Sequence, residues 1–331
     1  MDGIELRRSI LNLFLPPSDM SVSEWADRYR IISGKGNPEP GPWHTDRAPY
    51  QKEIMDSFSM PKVHDIIVMS CAQVGKTDMI QNMIGRMIHL APGPSLMVLP
   101  DEDAAKEIVK ERIGPTIDMT PVLKERVFGG HKSGVSYKSF PGGFLFLTGS
   151  ISPTGLKSRP IRYLFMDEVD GYVANAGGEG DPVYLARKRT QNFRAFAKHV
   201  LTSTPKLKSS SRIYREFLRG TREEWEFPCK ACSGLHHIDF DDIRFEKRVT
   251  TENAAVEGEK SYEVLSAVWR CPACGKTMTE IEVKRAKAQW VAYNPKALER
   301  GIRSFHLNAF MSPWADWKET CQKFLDSKDN M

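Results

Sequence analysis

The run Asp65-Ile66-Ile67-Val68-Met69 leads without a break into Ser70-Cys71-Ala72-Gln73-Val74-Gly75-Lys76-Thr77, and apolar residues then recur at Met79, Ile80, Met83, Ile84 and Met87. No other feature constrains the fold as much. A short, uninterrupted apolar run reads as a strand covered on both faces, and the spacing after it reads as one face of a helix. Such a strand needs neighbours on either edge and helices above and below, which makes this an α/β chain. The turn between them matches GxxxxGK[ST] at Gly75-Lys76-Thr77, with Ser70 where the first glycine is expected. Backbone N–H groups at a helix N-terminus cradle phosphate oxygens, a lysine reaches the terminal phosphates and a hydroxyl ligates Mg²⁺. Ser70, Gln73, Val74, Gly75, Lys76 and Thr77 are therefore the candidate ATP-binding loop. Lys76 is also a catalytic candidate. A plain strand–helix turn shares part of this pattern, so the loop needs a partner.

That partner is Arg162-Tyr163-Leu164-Phe165-Met166-Asp167-Glu168-Val169-Asp170. A buried strand delivers Asp167 to its C-terminal tip, where α/β ligands bind and where Mg²⁺ must be held. Glu168, one residue on, is placed to orient or deprotonate the attacking water. Asp170 reads as a helix-capping or turn residue. Upstream, Tyr50 could stack on a purine and Gln51 could hydrogen-bond an adenine edge, although a helix start with a core tyrosine looks the same. Downstream, Ser203-Thr204-Pro205 ends the strand HVLTS. A polar residue at Ser203 or Thr204 can sense a terminal phosphate, or simply form the exit from a strand.

Along the chain, residues 1–45 read as an N-terminal arm with a helix at Val22–Tyr29. Residues 46–222 read as a P-loop ATPase core of the ASCE/RecA-like kind, a mainly parallel sheet flanked by helices. Strands are expected at 65–69, 95–99, 135–137, 143–147, 161–166 and 199–202, with helices near 50–58, 102–112 and 182–193. After Arg222 the texture changes to a zinc-ribbon-like insertion over 223–290, and 291–331 reads as a strand at 301–308 and an amphipathic helix at 314–325.

Six cysteines divide into two singles and two CxxC pairs, Cys229/Cys232 and Cys271/Cys274, with 38 residues between the pairs. Four thiolates in two knuckles make a tetrahedral Zn²⁺ site. The separation exceeds the usual spacing of roughly 15–20, so an excursion loops out between the knuckles. Two disulfides are the alternative, and His236 and His237 could compete as ligands. Cys71 and Cys321 read as small packing residues. The net charge of +5 hides an uneven distribution: residues 187–222 hold eleven Lys/Arg and one acid, Glu216, a balance of +10 against −5 elsewhere. Lys206, Lys208, Arg212 and Arg215 are candidate phosphate-backbone contacts, with a solvated basic helix face as the alternative. No apolar run approaches the ~18 residues a membrane span needs.

Residues from about 45 to 222 resemble the ATPase motor of large terminase subunits of lambda-like tailed phages, the GpA type. The resemblance rests on AQVGKT (72–77), RPIRYLFMDEVDGY (159–172), TSTP (202–205), the paired cysteines, GIRSFHLN (301–308) and SPW (312–314). It implies an ATP-driven motor that packages viral double-stranded DNA into a procapsid, using Lys76, Thr77, Asp167 and Glu168 on ATP and Mg²⁺. Ser203–Pro205 would couple hydrolysis to movement, and Tyr50 and Gln51 would contact adenine. Implied partners are DNA, a small terminase subunit and the portal of the procapsid, with a homo-oligomeric ring during packaging, no membrane, and the host cytoplasm as location. Many large terminases carry an arginine inside the loop where this chain has Ala72-Gln73. The charge that stabilises the developing phosphoryl anion must then come from elsewhere, in cis or from a neighbour, with Arg159 and Arg189 as candidates. The acids beyond residue 290 do not sit at the tips of successive apolar strands, so no nuclease activity is expected. The ending KFLDSKDNM, in mid-amphipathic texture, reads as a motor portion cut short, by design or by natural truncation. A helicase-like nucleic-acid ATPase, or a zinc-ribbon DNA-binding module with a vestigial loop, are the competing readings.

Overall fold

In a computed structural model of the chain, the residues described are 19–34, 39–130, 133–157, 159–207, 209–252 and 260–328. Strands β1 (Ile31–Ile32) and β2 (Gly41–Pro42) pair within the arm. They are followed by β3 (Asp65–Ser70), β4 (Pro94–Leu99), β5 (Tyr137–Phe140), β6 (Gly143–Gly149), β7 (Tyr163–Met166), β8 (Lys198–Ser203), β9 (Glu223–Pro228) and β10 (Leu235–His236). Strands β11 (Ile243–Glu252), β12 (Lys260–Arg270) and β13 (Thr277–Thr279) form a separate antiparallel sheet, and β14 (Gln289–Ala292) and β15 (Ile302–Leu307) complete the strands among the described residues. The main sheet runs β10-β9-β15-β3-β8-β7-β4-β6-β5, with β14 paired to β9. Its interior pairings are parallel; β5, β10 and β14 join antiparallel at its margins. Every residue of β3 and of β7 is buried, as the uninterrupted apolar runs require. The parallel α/β architecture expected from the sequence is therefore the one observed.

The helix Lys76–Leu90 leaves the loop and buries Met79, Ile80, Met83, Ile84, Met87 and Ile88. Onto its outer face packs the arm helix Val22–Tyr29, started by a capping box between Ser21 and Glu24. Trp25 lies against Gly85, where a β-carbon would stand 2.2 Å from the indole. Arg30 is buried too, donating to Asn82 Oδ1 at 2.6 Å, Asp78 Oδ1 at 3.0 Å and Gln81 Oε1 at 3.1 Å. The arm thus braces the phosphate-loop helix from behind.

Several boundaries differ from the sequence expectation. The strand expected at 135–137 is found at Tyr137–Phe140, and the helix expected over 102–112 stops at Ile108, where a wider turn takes over from Val109 to Ile113. The helix expected over 182–193 tightens into a 3₁₀ turn after Arg187, and the last helix runs Trp317–Lys328. The limits drawn at 222/223 and 290/291 pass through the main sheet, because β9, β10 and β14 of the cysteine-bearing stretch belong to it. Sheet partnership is long-range, and the change in composition that suggested those limits carries no record of it.

Candidate active site

The loop is shaped from below. Gln73 and Gly75 take left-handed backbone conformations, at φ 60° and 79°. The carbonyl of Val74 accepts from Tyr50 Oη at 3.2 Å and Gln51 Nε2 at 2.9 Å, and that of Gln73 accepts from Ser312 Oγ at 3.0 Å. In a trans peptide the N–H points opposite to the C=O. Two carbonyls tied into the protein therefore turn the N–H groups of Val74 and Gly75 outward, as an anion cradle requires. Tyr50 and Gln51 are 1% and 0% exposed, so their side chains meet the underside of the loop. Burial pushes the Tyr50 hydroxyl far above the usual tyrosine range. Ser70 does not lie in the left-handed region, which is why a side chain is tolerated where the pattern has glycine.

On the open side three elements meet at Lys76. Its ammonium lies 3.1 Å from Glu168 Oε1 and donates to Thr204 Oγ1 at 2.6 Å and to the Cys71 carbonyl at 3.3 Å. Glu168 Oε2 accepts from the Thr204 N–H at 3.3 Å and Ser203 Oγ at 3.4 Å. Asp167, 5% exposed, accepts from Thr202 Oγ1 and, at 3.5 Å, from Thr77 Oγ1. Burial raises the Asp167 pKa and the neighbouring Glu168 charge adds to this, with the Thr202 hydrogen bond opposing. A buried carboxylate so disfavoured gains most from a cation, and hard oxygens from Thr77 and Asp167 side by side suit Mg²⁺. Glu168 itself stands in a left-handed conformation at φ 53°.

Arg159 and Arg189 are not brought to this cluster. Arg159 leads into β7, and the Arg189 carbonyl accepts from the Ile161 N–H at 3.0 Å beside the same N-terminal end, whereas Lys76, Glu168 and Thr204 lie at the C-terminal ends of the strands. The exposed Arg159 guanidinium lies over the rings of Phe146, Tyr137 and Phe144, at 4.8, 5.4 and 5.6 Å from their centroids. Arg189 donates to the Lys157 carbonyl at 3.0 Å. Within one chain neither reaches the loop.

The basic segment is less of a surface than its count suggests. Arg212 is spent internally on Val169 O (2.7 Å), Val173 O (3.1 Å) and Asp181 Oδ2 (3.1 Å), which removes it from any outward phosphate grip. Lys198 is buried against the carbonyls of Met60 and Val63, and Arg187 pairs with Asp65 and Glu216. Lys206 and Arg215 are exposed, and Lys208 lies outside the described residues.

The four paired cysteines converge, with all sulfurs within 4.8 Å of one another. The knuckles repeat one geometry. Cys229 O accepts from Ser233 N at 2.8 Å and Cys271 O from Gly275 N at 2.9 Å, with Ser233 and Gly275 left-handed at φ 61° and 72°. Sulfur separations of 3.8 Å (Cys229–Cys274) and 3.9 Å (Cys232–Cys271) match the about 3.8 Å edge of a tetrahedron with Zn–S near 2.3 Å. They are far too long for disulfides. His236 Nε2 approaches Cys271 Sγ at 3.5 Å, while His237 turns to Asp239 at 3.3 Å.

Sequence reasoning missed Thr202, although it stands inside TSTP, and Ser312, whose role depends on a fold-back of more than 200 residues. A parallel sheet carrying a phosphate loop, a lysine, an Asp-Glu pair and a polar strand tip defines a P-loop ATPase core. The chain belongs to the family described as phage terminase large subunit gpA, ATPase domain, whose model matches residues 37–290. It is 23% identical to the terminase large subunit of Enterobacteria phage P21 over 96% of this chain and 51% of that protein. For the terminase large subunit of Escherichia phage lambda the identity is 24%, over 98% of this chain and 52% of the relative. The chain spans about half the length of these relatives. Among solved structures, the large terminase ATPase domain of Thermus phage P74-26 aligns with a TM-score of 0.46 at 14% identity, covering 87% of this chain and 91% of that one. No described helix is long and apolar enough to cross a membrane.

Proposed function

We propose that this chain is an ATP-hydrolysing, DNA-translocating motor that packages viral double-stranded DNA into a procapsid. The observation that carries the reading is the meeting of Lys76, Glu168 and Thr204 at the mouth of the loop, from three separate elements. Outward N–H groups of Val74 and Gly75, with Lys76, would hold the phosphates of ATP, and Thr77 with Asp167 would hold Mg²⁺, which supplies charge neutralisation on the transferring phosphoryl group. Glu168 accepts the proton of, or orients, the attacking water. Tyr50 and Gln51 act here by setting the loop, and reach a purine only if the loop moves. Ser203 and Thr204 carry the state of the site to the following segment, where Lys206, Lys208 and Arg215 grip the DNA backbone. Arg159 and Arg189 serve a neighbour's site in a ring rather than their own. Cys229, Cys232, Cys271 and Cys274 hold Zn²⁺. A small terminase subunit and the portal of the procapsid are the partners, in the host cytoplasm.

Steady-state ATPase assays on wild type and Glu168→Gln, with and without double-stranded DNA across a salt series, test this. Wild type should turn over ATP faster with DNA, the stimulation shrinking as salt rises. Glu168→Gln should bind ATP and lose roughly 100-fold or more in turnover, the scale of a lost general base. Equal turnover in the two proteins would sink the assignment.

A further inference from the structure

We propose that Asp170 and Arg212 form a reciprocal latch that positions the Glu168 carboxylate and ties it to Thr204–Lys206 and to the start of the helix Arg212–Arg219; this rests on reading Glu168 as the group that activates water. The latch has two halves that reach in opposite directions. From the turn after β7, Asp170 Oδ1 accepts the Ile213 N–H at 2.8 Å, Oδ2 accepts the Lys206 N–H at 3.1 Å, and the Asp170 N–H donates to Ser203 Oγ at 3.1 Å. From the helix Arg212–Arg219, the Arg212 guanidinium donates back to Val169 O at 2.7 Å and Val173 O at 3.1 Å, while Asp181 Oδ2 accepts its Nε–H at 3.1 Å. Glu168 immediately precedes this turn, and its Oε2 accepts from the Thr204 N–H and from Ser203 Oγ, the same hydroxyl oxygen that takes the Asp170 N–H.

Three observations favour positioning over simple capping. The helix Arg212–Arg219 already has a cap, since Ser211 Oγ accepts the Tyr214 N–H at 3.1 Å. Asp170 is thus a second acceptor, supplied by the turn that carries the reacting carboxylate. Glu168 stands at φ 53° and ψ 50°, a conformation its β-carbon disfavours and which persists only where the surroundings impose it. The turn Val169–Gly171 that follows is held by these same contacts. Finally, the latched segment presents Lys206 and Leu207 to solvent, Leu207 at 71% exposure, so a shift at Glu168 is passed to an exposed loop. Burial works against the Asp170 charge, but the N–H groups of Ile213, Lys206 and Arg212 and the Ser211 hydroxyl hold its carboxyl below the usual range. The carboxylate form is the one with acceptors on both oxygens; an amide would turn an NH₂ toward one of two N–H donors.

The experiment compares wild type, Asp170→Asn, Arg212→Gln, the double variant and Glu168→Gln for ATP turnover with saturating double-stranded DNA. It also measures affinity for a non-hydrolysable ATP analogue and amide exchange. Each single variant should lose of order 10- to 100-fold in kcat, the scale of an ångström's misplacement of a reacting group. KM and analogue affinity should stay within about 2-fold, because Lys76 and Thr77 are untouched. The double variant should be no worse than the poorer single one, since both halves make one device. Exchange at the Lys206 and Ile213 amides should quicken. Turnover within about 2-fold of wild type in both single variants, with Glu168→Gln inactive, overturns the latch alone. If wild type and Glu168→Gln turn over alike, the reading of Glu168 fails, and the positioning role that rests on it falls with it. Should Asp170→Asn not fold, Arg212→Gln decides by the same readouts.

Discussion

At Gly75 two demands fall on one Cα. Its φ of 79° is a left-handed conformation, and a β-carbon built there would stand 2.3 Å from Gln51 Nε2, the donor that orients the loop. The left-handed backbone alone costs a residue with a side chain about 1–3 kcal/mol. Gly75→Ala should therefore lower the melting temperature, and by pushing Gln51 off the Val74 carbonyl it should weaken ATP binding. A fluorescent-nucleotide titration beside a thermal melt checks both; an unchanged affinity would show that Gln51 does not set the loop. Ser70 shows the converse. The pattern has glycine there, but the backbone at Ser70 asks for nothing that a side chain prevents, and its hydroxyl is simply buried.

The knuckles belong to the scale of the element. Cys229 follows directly on β9 and Cys271 on β12, so one ion would join an edge of the main sheet to the antiparallel sheet β11–β13. The same apolar cluster holds Cys229, Cys271, Phe227 and Trp269 together with Tyr50 and Val74 beneath the loop. Trp269 is fully buried against Phe227 and His236, with ring centroids 4.8 and 5.6 Å away. Purified protein should carry about one zinc per chain, and chelation should lower the melting temperature and change Trp269 emission, because metal binding contributes folding energy to such a segment. Metal analysis giving less than about half an equivalent in chelator-free protein would refute the site.

Across the whole molecule, one ion-pair network joins the sheet to two helices. Asp65 at the start of β3 accepts from His199 Nδ1 of β8 at 2.6 Å and pairs with Arg187 at 3.2 Å, and Arg187 also reaches Glu216 at 3.2 Å. Burial alone would raise the Asp65 pKa, but His199 and Arg187 outweigh it and hold the carboxyl at about 2, against 3.8 ordinarily. A group whose folded pKa is depressed stabilises the fold above its unfolded pKa and loses that contribution as pH falls through the folded one. Asp65 should thus contribute about 2 kcal/mol at neutral pH, lost between about pH 4 and pH 2. Asp65→Asn should lower stability at pH 7 and flatten the acid limb of the unfolding curve below pH 4. Parallel pH dependence in variant and wild type would contradict this.

Much of the site was legible because its chemistry is local in sequence. The strand, the loop and the helix of residues 65–90 are consecutive, the Asp167-Glu168 pair ends an apolar run, and each CxxC knuckle closes within a few residues. Residue type and spacing by themselves determine such features, since backbone periodicity and short-range hydrogen bonding fix their geometry. Tertiary structure alone decided the rest. It turned Tyr50 and Gln51 under the loop, placed β15 between β3 and β9, and put Arg159 and Arg189 at the far end of β7. It also drew Arg212 and Lys198 inward out of an apparent basic surface. A charge count over 36 residues registers sign but not direction, and direction is set by which strands pair and which faces they bury.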